Sequence, residues 1–142
     1  MNKLIYSKDN FMEMDPMHDA VATKFSFKDN TLIVEYNNLD QGMAWRNTLT
    51  SENKKVTIEY EFDSFCEAKF FKKNKVKFVD LPDETDIFYK LTNNIKCTSL
   101  KYSVDSFNTL TLFFNIYEKH KYWNFEITMD ATKSTYIITP LA

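Results

Sequence analysis

The stretch Val56-Thr57-Ile58-Glu59-Tyr60-Glu61-Phe62 alternates apolar and polar side chains without a break. Successive side chains of an extended chain point to opposite sides. Val56, Ile58, Tyr60 and Phe62 therefore share one face, and Thr57, Glu59 and Glu61 the other. This is the pattern of a strand with one face in a core and one in water. The same period recurs on both sides. Leu100, Tyr102 and Val104 alternate with Lys101 and Ser103, and Phe125, Ile127 and Met129 alternate with Glu126 and Thr128. Further strands are read over 21–27, 31–36, 66–72, 75–80, 109–117 and 134–139, rich in Phe, Tyr, Val, Ile and Thr. The expected core takes in Val56, Ile58, Tyr60, Phe62, Tyr102, Val104, Leu110, Leu112, Phe125, Ile127 and Met129.

Gly42 is the only glycine, so Asn and Asp must make the turns, because their short polar side chains tolerate left-handed backbone. Asp29-Asn30, Asn37-Asn38, Lys73-Asn74, Asn93-Asn94 and Asp105 to Asn108 are the candidates. Short sequential connections favour antiparallel hairpins over crossovers. One helix is expected after Pro82. Asp83, Glu84 and Asp86 open it, Lys90 lies near its end, and Ile87, Phe88 and Leu91 share a face. With 142 residues, a single domain spanning 1–142 is expected. The fold class is mainly β: an antiparallel β-sandwich or flattened barrel of about eight or nine strands with one short helix.

Two stretches echo each other. Lys24-Phe25-Ser26-Phe27 and Asn30-Thr31-Leu32-x-Val34-x-Tyr36 parallel Lys101-Tyr102-Ser103-Val104 and Asn108-Thr109-Leu110-x-Leu112-x-Phe114. Val56-x-Ile58-Glu59-Tyr60-x-Phe62-Asp63 likewise parallels Trp123-x-Phe125-Glu126-Ile127-x-Met129-Asp130. The halves 21–71 and 98–138 are candidate repeats, the first carrying an extra loop over 37–55.

The scarcity of glycine excludes Gly-rich phosphate loops, the dinucleotide fingerprint and the Gly-x-Ser-x-Gly elbow, so no cofactor is expected. A net charge of −2 gives no support to nucleic acid as a partner. No window reaches the apolar length of a membrane span, and the start Met1 to Asp9 is too polar for a signal sequence. No membrane partner is expected, and the location expected is cytoplasmic. Cys66 and Cys97 read as buried thiols. Arg46 is the only arginine against 17 lysines, the bias of an AT-rich genome, which suggests a bacterium.

Few residues suggest chemistry. His18 and Asp19 are adjacent and are the candidates for a metal site or an acid–base pair, although neighbours on a strand diverge. A Cys–His pair of Cys66 or Cys97 with His18 has no local signature. His120 lies among charges between two strands and reads as a solvated turn. Lys69, Lys72, Lys73, Lys75 and Lys77 stud a hairpin with Phe70, Phe71 and Phe78. It reads as a sheet edge that lysine protects from aggregation, in preference to a stacking surface for nucleic acid. The loop 37–55 gathers Gly42, Met43, Trp45 and Arg46, the rare residue types of this chain. Trp and Arg are enriched in interface hot spots, so these four are the candidate partner-binding residues.

Met17-His18-Asp19-Ala20-Val21, followed by Phe25-x-Phe27-x-Asp29-Asn30-x-Leu32-x-Val34, resembles the opening of small bacterial β-proteins with a His-Asp-small step before a hairpin. Some of that group are known as immunity proteins that neutralise a partner toxin. The resemblance implies a bacterial, non-enzymatic domain. The expected function is thus a non-catalytic binding domain acting by protein–protein contact, immunity-like. A β-barrel carrier of an apolar small molecule and a hydrolase using His18 are the alternatives.

Overall fold

The computed structural model describes residues 2–11, 21–37, 54–72, 75–81, 96–104, 109–118 and 121–140. Among them lie eight strands: β1 (Asn2–Ser7), β2 (Val21–Lys28), β3 (Thr31–Asn37), β4 (Lys54–Lys72), β5 (Lys75–Leu81), β6 (Lys96–Val104), β7 (Leu110–Glu118) and β8 (Lys121–Pro140). The molecule is mainly β, as the alternation requires. All eight belong to one antiparallel sheet ordered β1-β8-β7-β6-β2-β3-β4-β5, with β8 also paired to β4. β2 and β6 meet only at Ala22 opposite Cys97, so the sheet does not close into a barrel. The expected helix over 83–91 lies outside the described residues.

The strand count differs from the nine read in the sequence for two reasons. The runs 56–62 and 66–72 are one strand, β4, and the runs around 125–129 and 134–139 are one strand, β8. β1 was not among the strands read, because Ile5 breaks its polar row; Ile5 is exposed while Leu4 and Tyr6 pack against the core.

The β4–β8 ladder is the spine of the fold. It runs from Lys54 opposite Pro140 to Phe71 opposite Asn124 and is interrupted near Phe62. There Phe62 faces Ala131 and Cys66 faces Met129, so Asp63, Ser64 and Phe65 bulge opposite Asp130. On one side of the bulge β4 also pairs with β3 and β8 with β1; on the other, β4 pairs with β5 and β8 with β7.

Each half thus has the same order: hairpin β2–β3 followed by β4, and hairpin β6–β7 followed by β8. Both hairpins carry an irregularity at a corresponding point, between Ala22 and Lys24 and between Thr98 and Lys101. The sequence echo is displaced in one place. It aligned Tyr60 with Ile127, but Leu32 pairs with Tyr60 while its counterpart Leu110 pairs with Met129. A shift of two residues keeps every side chain on its face, so the pattern alone cannot detect it.

The inward rows of both halves meet in one core. Val56, Ile58, Tyr60, Phe62, Leu110, Leu112, Phe125, Ile127 and Met129 are all buried, as expected. Tyr102 and Val104 lie on β6, and their side chains are outside those described. Phe25 of β2 crosses to Phe114 and Phe125, edge to face at 5.4 and 6.0 Å. Phe125 in turn stacks on Phe70 and Phe114 at 5.1 and 4.7 Å. These offset and edge contacts add to the burial of apolar area. The Asp29-Asn30 turn forms as expected, with Asp29 left-handed at φ 54 and Lys28 opposite Thr31.

Candidate functional site

A strand with a buried inner row exposes the alternate row on the opposite face of the sheet. In the β5–β4–β8–β7 half the inner residues Phe70, Ala68, Phe125, Ile127, Phe114 and Leu112 are buried. The outer residues between them form rows by register. Val76 lies beside Phe71, which faces Asn124. Phe78 lies beside Lys69, which faces Glu126, which faces Phe113. Thr111 and Thr128 lie alongside, their hydroxyls 3.1 Å apart.

This face sets apolar side chains among its polar ones. Val76 is 50% exposed and Phe78 59%. The Lys69 ammonium sits 5.5 Å from the centre of the Phe78 ring, a cation–π contact that holds both side chains over the surface. Between Phe71 and Phe113 runs a half-open groove of about 340 Å³, lined also by Phe114, Asn124, Phe125 and Glu126.

The corresponding face of the other half has a different character. Leu112 pairs with Ile127 as Val34 pairs with Ile58. Counting from these pairs, Phe113 corresponds to Glu35, Glu126 to Thr57 and Asn124 to Lys55. Lys55 Nζ is 3.0 Å from Glu35 Oε1, and Lys133 Nζ is 3.5 Å from Glu61 Oε2. One half has an ion-paired outer surface with exposed Ile5 on β1 at its margin; the other has aromatic rings around a groove.

Two further groups of polar atoms lie at the fold's bend and in its core. At the bulge, the Asp130 carboxylate accepts hydrogen bonds from the Ser64 N–H at 2.8 Å, the Phe65 N–H at 2.9 Å and the Ser64 hydroxyl. It thereby satisfies amides that have no strand partner. Partial burial raises the Asp130 pKa, but the hydrogen bonds from Phe65 and Ser64 outweigh it and hold the carboxyl below the usual range. Inside, the Tyr36 and Tyr60 hydroxyls lie 3.3 Å apart. Burial raises the Tyr60 pKa well above the ordinary phenol value, against the lowering effect of Tyr36.

Cys66 is a buried free thiol whose pKa is pushed up to about 12, first by burial and then by the charge of Asp130. The thiolate is the nucleophile, and Cys66 is held in the thiol form; the Cys97 side chain and His18, the other members of the Cys–His pair considered from the sequence, lie outside those described. His18 and Asp19, and likewise Gly42, Met43, Trp45 and Arg46, lie outside the described residues, as does His120. Among the described residues no three His, Cys, Asp or Glu side chains cluster as a metal site, and no helix is long and apolar enough to cross a membrane.

The aromatic face was only partly visible in the sequence. The lysine-studded hairpin was singled out and read as an edge, and β5 does end the sheet order. Phe113 is not among the residues the sequence marks; its only signal is a phenylalanine at an outward position of β7, opposite Glu126. In comparisons with known protein families, curated proteins and solved structures, nothing matches this chain.

Proposed function

We propose that this chain is a non-catalytic protein-binding domain and that the outer face of β5, β4, β8 and β7 is its contact surface. The observation that carries the reading is the contrast between the two halves. One strand arrangement carries ion pairs on one outer face, and exposed Phe78 and Val76 with half-buried Phe71 and Phe113 on the other. Aromatic side chains supply large contact area at low entropic cost, and a rim of Lys69, Asn124 and Glu126 supplies orientation. The resemblance of residues 17–34 to small bacterial β-proteins, some of them immunity proteins, supports a toxin as the class of partner. The packed aromatic interior favours this reading over a carrier with a hollow core.

The test is selection of binding peptides from a displayed random library, followed by mapping on the isotopically labelled protein by NMR. Binders are expected to shift the amide signals of outward residues around Phe71, Phe113 and Phe78. Mapping to the Glu35–Lys55 face, or to Trp45 and Arg46, would reject this surface.

A further inference from the structure

The chain from Ala68 to Val79 holds Lys69, Lys72, Lys73, Lys75 and Lys77 and no acidic residue; the acidic residues of this hairpin, Glu67 and Asp80, pair in register at its far end. It forms the end of β4 and most of β5, and among the described residues β5 pairs with β4 alone. Among the described residues the far side of β5 thus presents a row of backbone donors and acceptors. Exposed Val76 and Phe78 stand on its outer face, continuous with Phe71 and the groove. β1, at the other end of the sheet, has the exposed Ile5 but no such concentration of charge.

We infer that the outer edge of β5 takes up an extended acidic segment of a protein partner as an added antiparallel or parallel strand. The inference rests on the protein-binding reading above and gives it a binding mode. In strand addition, main-chain hydrogen bonds supply affinity and alternate side chains supply selectivity. Here the lysines choose the occupant. A second copy paired through β5 would bring the same lysines together, and like charges on adjacent strands repel. Acidic side chains beside Lys75 give the complementary pairing, and apolar side chains between them extend the surface of Val76 and Phe78. The recognised segment is therefore one that alternates acidic and apolar residues.

The experiment uses the full chain, labelled with nitrogen-15, and a synthetic peptide of about ten residues, the upper length of an ordinary strand, alternating Glu with Val and Phe. The expected result is slowed amide exchange along Lys75–Leu81 and interstrand NOEs to the peptide backbone. Lys75→Glu with Lys77→Glu should weaken binding about tenfold or more, as reversed charges act on association. A peptide with Lys in place of Glu should not bind.

Binding in the Phe71–Phe113 groove with β5 amides unchanged would overturn strand addition and leave the protein-binding face standing. So would no binding of the acidic peptide, since the library selection tests the face separately. Dimerisation that protects β5 would overturn the acidic partner in favour of a second copy. Tighter binding of a single-stranded thymidine oligonucleotide would overturn the inference and the protein-binding reading together.

Discussion

Asp130 carries more of the fold than its partly exposed position suggests. Its carboxylate closes the bulge through Ser64 and Phe65, at the point where the β4–β8 ladder changes neighbours. Because its folded pKa lies below the unfolded value, the carboxylate contributes stability above the ordinary Asp range. That contribution is lost as pH falls through the folded pKa. Asp130→Asn should lower stability at neutral pH by about 1–2 kcal/mol and flatten the loss between neutral pH and the acid range. Urea denaturation at several pH values measures both. Ser134 is the converse case. Its Oγ is fully buried and has no hydrogen-bond partner among the described residues, between Tyr6 and Tyr60 in register. Ser134→Ala should therefore stabilise, by about 1 kcal/mol, because it removes a desolvated hydroxyl. A lower denaturation midpoint would show that the hydroxyl is paired. Cys66 should resist thiol reagents at pH 8 in a Cys97→Ser background until the protein unfolds.

At the scale of elements, Phe125 marks the junction of the two halves. It is fully buried on β8, stacked on Phe70 and Phe114 and met edge-on by Phe25. Phe125→Ala should cost about 3–5 kcal/mol, read as a shift of the denaturant midpoint with unchanged slope. The strands were legible because period-two alternation sorts inward from outward residues directly. Their ends and continuity were less so. Nothing in Asp63-Ser64-Phe65 says that a strand continues through it, because a bulge breaks the period locally while the ladder resumes beyond it. Likewise Thr132 and Lys133 interrupt the alternation of β8, whose inner row restarts at Ser134. Pairing partners also escape a sequence reading, since β4–β8 joins residues far apart in the chain, from Lys54–Pro140 to Phe71–Asn124.

For the whole molecule, one strand arrangement used twice gives two outer faces, and side chains alone distinguish them. The core residues announced themselves in the sequence. The proposed contact surface did not, because Phe71, Phe113, Val76 and Phe78 become neighbours only when β4, β5, β7 and β8 lie side by side. The correspondence between halves also supplies the most direct test. The triple variant Phe113→Glu, Asn124→Lys and Glu126→Thr writes the Glu35, Lys55 and Thr57 surface of one half onto the other. Outer-face changes of this kind leave stability within about 0.5 kcal/mol each. Affinity for a library-selected binder, measured beside thermal unfolding of the same variant, separates contact from stability. The expected result is a folded variant whose binding falls at least about tenfold, the scale of a lost aromatic hot spot. A folded variant that binds as tightly as the parent would contradict the proposed contact surface.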